Sequence, residues 1–568
     1  MDGDSILMLA KWRQAEIRAE VDHDWSGRQA AALVPTVRDV TFDLLRELEM
    51  TTVFGNPGSS EEPFLTEFPD DFQYILGLHE AAVVAMADGF AQTSGNAAFV
   101  NLHTASGVGN GMGALFTAWH NRTPLVMTAG QQTRQMLALE PWLVNREATE
   151  LPRPYVKWSH EPARAEDVPA AIERAYHIAM APPRGPVFVS IPMDDWNAPA
   201  APRPARRVSS LSRPDEDALN EAAAALAAAE NPMLVVGGGV DRAGGWDAAV
   251  RLAERVRAPV WEAPAPERVS FPQTHRLFQG SLPPGMKPLA ERLAGHDVVL
   301  LAGAQVFRYH PHIPGPILPP GTRLLHLTDD PNEAARAAAG FSIVGDVRVG
   351  LERLAQLVPD ADRPGPSPRP APGAPPPTEP MSVGYVFRAL ASALPADAVV
   401  VEESVSSRAA FYDQIRIERT SSYFATGSGG LGFALPAAVG IGLARPGTPV
   451  VCIAGDGSTM FGVHAIWTAV QHEVPVVFVV VNNGHYGILK AFAAFQRTTG
   501  VPGLDLPGLD IPLIARGLGA DACRISSPVD LAESFQDALR TATERSGPVL
   551  LDVVVDPEVP ALFGEPVS

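Results

Sequence analysis

Cysteine is almost missing from this chain: Cys452 and Cys523 are the only two in 568 residues. That excludes a disulfide framework and a cysteine-built metal cluster, and it points to a reducing cytoplasm. Basic charge is also short. Lys and Arg total 44 against 64 Asp and Glu, a net charge of −20, so a phosphate-binding face for nucleic acid is not expected. An anionic small substrate remains compatible, because a local site can be positive in an acidic protein. No apolar run nears the roughly 20 residues that span a bilayer. Asp2, Asp4, Lys11, Arg13, Glu16 and Arg18 break up any secretory leader at the N-terminus. The expectation is a cytoplasmic protein with neither a membrane nor a nucleic-acid partner.

What is present is a long chain of mostly apolar segments. Its 46% hydrophobic content suits large buried sheets, and its length suits about three or four domains. Two stretches break the pattern. Residues 197–215 are rich in Pro, Ala and Arg, and residues 359–380 are Pro, Gly, Ala and charge with nothing to build a core. They divide the chain into an N-terminal extension at 1–35 and blocks at 36–196, 216–358 and 381–556. Short β-branched runs recur in all three blocks. They fall at 51–55, 74–79, 97–104, 124–130 and 186–192, then at 233–239, 297–303 and 323–328. The last block has them at 398–404, 448–458, 475–484 and 548–556. Continuous rather than alternating runs indicate strands covered on both faces. The predicted fold is three doubly wound, parallel-sheet α/β domains, with chemistry at the carboxyl ends of strands.

The strongest motif lies in the third block. Gly455-Asp456-Gly457-Ser458 follows one apolar run and Asn482-Asn483-Gly484 follows the next, with a single helix predicted between them over HAIWTAVQHEV. A carboxylate and an amide on neighbouring strand ends can share one hard cation. Magnesium takes about six oxygens, which leaves places for a diphosphate. The glycines admit backbone N–H groups to phosphate oxygens, and a helix after Ser458 would direct its positive end at them. The plainer reading is two polar turns of the kind common at strand ends.

This GDGS…NN pairing resembles the signature of thiamine-diphosphate enzymes. The resemblance implies thiamine diphosphate and Mg2+ as cofactors. Asp456 and Asn483 would be metal ligands, with the main-chain carbonyl of His485 as the third. Gly429 and Leu431 in SGGLGFALPAA would belong to the cofactor-holding loop, Leu431 forcing the cofactor into a folded shape. Gly455, Gly457, Ser458, Tyr486, Gly487 and Ile488 complete the implied cofactor-binding set. The three blocks then correspond to pyrimidine-binding, middle and diphosphate-binding domains.

From about residue 36 onward the chain resembles the benzoylformate decarboxylase family. The resemblance is carried by VFGNPGSSEEPFL (53–65), NLHTASGVGNGMGAL (101–115), TAGQQTR (128–134), LPRPYVKWS (151–159), APVWEAPAPE (258–267), VFRYHP (306–311) and GLGFALPAA (430–438). It implies non-oxidative decarboxylation of a 2-keto acid, benzoylformate or similar, to an aldehyde and CO2 through a cofactor-bound enamine. Glu80 would hydrogen-bond the aminopyrimidine and exchange its proton, a task suited to a partly desolvated carboxyl group. On sequence alone it is equally a dipole partner in a first helical turn. Ser59 would bind the substrate carboxylate, or else cap a helix before Glu61 and Glu62. His103 would serve the keto oxygen, or else be a structural histidine. His310 would return a proton after CO2 leaves, or else be a surface loop residue. Glu150, Leu151 and Arg153 match a peripheral cation site of the family.

The implied substrate pocket departs from the aryl-specific pattern. Phe492 is retained as an aromatic wall, whereas Trp142, Val405 and Ile488 are bulkier or less polar. Together they would exclude a phenyl ring or favour a slimmer branched or straight aliphatic 2-keto acid, although the wider resemblance keeps benzoylformate or a close relative as the expected substrate. The family builds its site between subunits, so a homodimer is the minimum and a homotetramer the expected form. An acetolactate-synthase-like carboligase is the alternative. It would need a flavin on the middle block, where VVGGGVDRAGG (235–245) lacks the GxGxxG spacing.

Overall fold

The computed structural model describes residues 34–562. The extension expected at 1–35 therefore lies outside them except for Val34 and Pro35. Three six-stranded sheets are seen among the described residues, and every strand pair within them is parallel. With strands numbered from one within each sheet, the first and third both run 2-1-3-4-6-5 and the middle runs 3-2-1-4-5-6. The first and third domains thus share one topology, and the middle one has the order of dinucleotide-binding folds.

Each predicted apolar run forms a strand. Val450–Gly455 and Val476–Asn482 are buried along nearly their whole length, as expected of strands covered by helices on both faces. The remaining strands (Ser159–His160, Val260–Glu262, Phe278–Ser281, Phe341–Val344, Tyr423–Ala425 and Asp521–Ile525) lie outside the predicted runs. All but Val260–Glu262 are sheet edges. Residues 200–215 and 359–380 contain no helix or strand. The second of these is nonetheless tied down, by Gln279 Nε2 to the Ser367 carbonyl and by an Arg369–Asp413 ion pair at 2.8 Å.

Helix starts follow local chemistry. Thr36 and Asp39 form a reciprocal cap on Val37–Glu47, and Asp215, Asp346 and Ser382 cap later helices through their side chains. One crossing sets the relation of the outer domains. Helix Glu80–Ser94 packs on helix Ala434–Ala444 so closely that a Cβ on Gly89 would overlap the Ala437 backbone, and one on Gly440 would overlap the Met86 carbonyl. Glycine is required at both points because the two main chains touch. The functional motifs sit at carboxyl ends of strands in the first and third sheets, joined by His310, which follows strand Val298–Ala302 of the middle sheet.

Candidate active site

The third-domain motif is built on two adjacent strands, paired through Gly455 and Val481. The helix expected after Ser458 instead begins at Asp456, with Gly455 as its cap, and the single helix predicted between the motifs is two short ones, Asp456–Gly462 and Ala465–Gln471. A strand ending at Gly455 allows the turn to close one residue earlier. Asp456 is 4% exposed. Its Oδ1 accepts the Gly457 N–H at 2.8 Å and its Oδ2 the Gly484 N–H at 2.7 Å, which locks the two strand ends together. Gly457 N–H is thereby engaged by the neighbouring carboxylate rather than free for phosphate. A Cβ on Gly457 would strike the Tyr486 ring, so glycine is needed for that ring to lie against the turn.

Asn483 Oδ1 accepts the His485 N–H at 3.2 Å, and the His485 side chain is buried with no partner on Nε2. Burial pushes the Asp456 carboxyl above the usual aspartate range, and no cationic side chain pairs with it among the described residues. An unpaired buried carboxylate beside an amide oxygen and a main-chain carbonyl is an all-oxygen donor set, the kind that suits a hard divalent cation. No cluster of three His, Cys, Asp or Glu occurs among the described residues, so a cation here would need the amide and the carbonyl. The residues fit the group.

Beside this cradle runs the glycine-rich loop. Gly429 and Gly432 adopt φ of 78° and 101°, and Leu431 between them is half-buried. The loop is held by a carboxylate that sequence reading missed. Glu403 accepts the N–H groups of Gly432, Phe433 and Ala434 at 2.7, 2.8 and 2.7 Å, and burial pushes it up to about 7. The only sequence signal was its position at the end of the run AVVVEES.

The substrate-side residues fall into two groups. His310 lies against Phe492, ring centroids 5.0 Å apart, which brings the middle domain to the third. Phe492 and Ile488 share one face of helix Gly487–Gln496 at i,i+4. That helix packs on the turn Val405–Ser407, where a Cβ on Gly487 would lie 3.2 Å from Ser406. His310 and Phe492 are thus in contact, with Ile488 on the same helix as Phe492 and Val405 in the turn that this helix packs against. In the first domain Ser59 is exposed on a turn. It does not cap a helix, since the following helix Glu62–Leu65 is preceded by Glu61 with no side-chain cap. Trp142 is 94% exposed, with its carbonyl held by Gln132 at 2.9 Å, and stands apart from these residues. Glu150 faces Arg153 at 3.7 Å.

His103 holds the N-cap position of helix Thr104–His120 without a side-chain capping bond and faces Glu61, which the sequence offered only as a neighbour of Ser59. Its Nδ1 lies 2.8 Å from Glu61 Oε2 and 3.0 Å from Ser60 Oγ, and Gly58 is required for the ring to approach. Glu61 also receives the Gly58 and Gly130 N–H groups. Thr104, next in line, holds φ at 41°, backbone strain at the point where the histidine is presented. Glu80 opens helix Glu80–Ser94 after a turn from strand Gln73–Leu76. It is 8% exposed and accepts a 3.1 Å bond from Asn110 Nδ2. His79, immediately before it, stacks on His464 of the third domain at 5.4 Å.

Three family models match in order along the chain: the N-terminal TPP binding domain of thiamine pyrophosphate enzymes at 35–150, their central domain at 219–354, and their C-terminal TPP binding domain at 405–553. The fold and the diphosphate motif therefore define a thiamine-pyrophosphate-dependent enzyme. A benzoylformate decarboxylase of Pseudomonas aeruginosa is 48% identical over 91% of this chain and 98% of its own length. The structure of the benzoylformate decarboxylase from Polynucleobacter necessarius superposes with a TM-score of 0.91 at 43% identity, over 93% of this chain and 100% of that one. A thiamine diphosphate-dependent 4-hydroxybenzoylformate decarboxylase from Rhodococcus jostii RHA1 gives 0.89 at 45% identity, with the same coverage. Relatives described as acetolactate synthase large subunits stand at 26–28%. The chain belongs to the benzoylformate decarboxylase family of thiamine-pyrophosphate-dependent carboxy-lyases.

Proposed function

We propose that the chain decarboxylates benzoylformate or a close 2-keto acid non-oxidatively, releasing an aldehyde and CO2. The observation that carries this reading is the pairing of the Asp456 cradle with an aryl-compatible wall of Phe492 and His310. When bound, thiamine diphosphate supplies the electron sink for the charge left as CO2 departs. Asp456, Asn483 and the His485 carbonyl would hold Mg2+, and Ser458 with the turn at 455–457 and the segment Tyr486-Gly487-Ile488 would hold the diphosphate end. Glu403 fixes the loop 429–432, so Leu431 and Gly429 are presented without freedom to drift. Glu80, steadied by Asn110, moves a proton to and from the aminopyrimidine. Ser59 binds the substrate carboxylate. His103, oriented by Glu61, serves the keto oxygen, and His310 returns a proton on the product side.

The hydrogen-bond partner of Glu80 lies in its own domain, and Leu78, Phe461 and Leu489 near the cofactor motifs are exposed apolar side chains. These features support a site completed by the first domain of a second copy, a homodimer at least and a homotetramer by family likeness. In that assembly Trp142 would gain a wall to pack on. The exposed free thiol of Cys523 supports a cytoplasmic setting, and no helix among the described residues is long and apolar enough to cross a membrane. A flavin-dependent carboligase is disfavoured. At the middle-sheet crevice the Glu267 carboxylate, paired with Arg242 at 2.6 Å, lies against Gly238, and the segment 235–245 lacks the GxGxxG spacing for a dinucleotide pyrophosphate.

The test is a panel of aryl and aliphatic 2-keto acids assayed for aldehyde, with and without thiamine diphosphate and Mg2+, with Glu80→Gln as control. Aldehyde from aryl substrates, dependent on both additions and lost in the variant, is the expected result. Turnover of aliphatic acids alone would overturn the substrate, and an undiminished Glu80→Gln enzyme would overturn the proton role.

A further inference from the structure

A second cavity, of about 390 Å³, opens between the first and middle domains, away from the Asp456 cradle. Five cationic side chains, Arg122, Lys157, Arg184, Arg308 and Arg336, line it against two carboxylates, Asp330 and Glu333, a surplus of three positive charges in a chain of net charge −20. Both carboxylates are taken by Arg122, at 2.5 and 2.8 Å, and Glu333 also meets Arg336 at 3.7 Å. Lys157, Arg184 and Arg308 meet no carboxylate among the described residues. They donate instead to main-chain carbonyls: Lys157 to Ile178 and Ala181, Arg184 to Gly95, and Arg308 to Gly427. Asp329 acts on Lys157 and Arg184, and Glu267 on Arg308, but only at a distance, so these half-buried cations lack a direct ion-pair partner that a bound anion would supply.

The surrounding groups respond to that excess. Burial, with Arg122 adding to it, pushes the Lys157 ammonium down to about 8. Burial, then Arg308, Arg122 and Arg336, pushes His120 down to about 4. The cavity adjoins a crevice lined by Gly238, Arg242 and Glu267, and its guanidinium forks and ammonium match phosphate oxygens. We propose that this interdomain cavity is a binding site for a small phosphate-bearing anion, held by Lys157, Arg184, Arg308 and Arg336 and separate from the cofactor's diphosphate site.

The experiment uses holoenzyme saturated with thiamine diphosphate and excess Mg2+, titrated calorimetrically with inorganic pyrophosphate at fixed ionic strength, with inorganic phosphate and adenosine diphosphate as parallel arms. One further site per chain is expected, weakened at least tenfold in the double variant Arg184→Gln, Arg336→Gln, which keeps its circular dichroism and its decarboxylation rate in phosphate-free buffer. Cofactor release in step with pyrophosphate uptake, an absence of saturable heat, or equal affinity in the double variant overturns the proposal. Should the double variant fail to fold, Arg336→Gln alone, changed at a side chain 60% exposed, is titrated over a range of salt. A salt slope equal to wild type then overturns it.

Discussion

His103 Nδ1 and Glu61 Oε2 lie 2.8 Å apart, and the Glu61 side chain is fully buried. A carboxylate so placed fixes the ring's orientation and favours a proton on the nitrogen facing it, leaving the other nitrogen for the substrate side. Glu61→Gln keeps the shape but removes the charge. We expect kcat/KM to fall about 10- to 100-fold, as misplacement of a reacting group costs, with thermal stability little changed. Steady-state kinetics beside a melting curve checks this. Equal kinetics would show that Glu61 serves the Gly58 and Gly130 amides only.

Asp456 is the link between both cofactor-bearing strand ends. Asp456→Ala should weaken thiamine diphosphate uptake in the presence of Mg2+ by more than about 100-fold, since loss of even an outer partner of a metal ligand costs 10–100-fold. Calorimetric titration measures it directly, and unchanged uptake would remove the cradle from the cofactor site.

Phe492 meets His310 through its ring. Phe492→Ala should lower kcat/KM for an aryl keto acid by about 10- to 100-fold, in line with 1–3 kcal/mol of discrimination per pocket contact. It should affect a short aliphatic acid less. Competition assays with one aryl and one aliphatic substrate separate the two effects.

Three fully buried carboxyls set a pH dependence of folding. Burial pushes Asp88 up to about 6 and both Glu262 and Glu403 up to about 7. Each binds more protons folded than unfolded between its unfolded value, near 4, and its raised value, so stability falls as pH rises through that window and is greatest below it. Melting of the cofactor-free protein from pH 5 to 8 should show Tm declining as these groups ionise, opposed at the acid end by histidines whose values burial depresses, such as His120 at about 4. Glu262→Gln, which cannot ionise, should flatten the decline. A slope unchanged in that variant would rule Glu262 out as a contributor.

The long interior strands were legible because burial on both faces writes a continuous apolar run, as in Val476–Asn482. Five of the six edge strands were not, the exception being Gln73–Leu76. Ser159–His160 has two residues and Asp521–Ile525 is largely exposed, so neither carries a pattern that burial would impose. At the site, Asp456 and Asn483 stand out in the sequence because GDGS…NN is a local pattern, and the structure puts them on adjoining strand ends. Glu61 and Glu403 do not. Their meaning depends on His103, 42 residues away, and on the amides of residues 432–434, and such long-range pairings leave no local spacing. The switch of helix start from beyond Ser458 to Asp456 shows the same limit, since the boundary depends on where the Asp456 carboxylate closes the turn.

The close crossing at Gly89 and Gly440 bears on how the protein is made. The apolar face of helix Glu80–Ser94 is covered by a helix encoded about 350 residues later. At ribosomal rates of 5–20 residues per second that face waits roughly 20–70 s for its cover during synthesis. Met86, Gly89 and Phe90, whose main chain lies under that later helix, therefore mark the surface that nascent-chain chaperones would be expected to shelter.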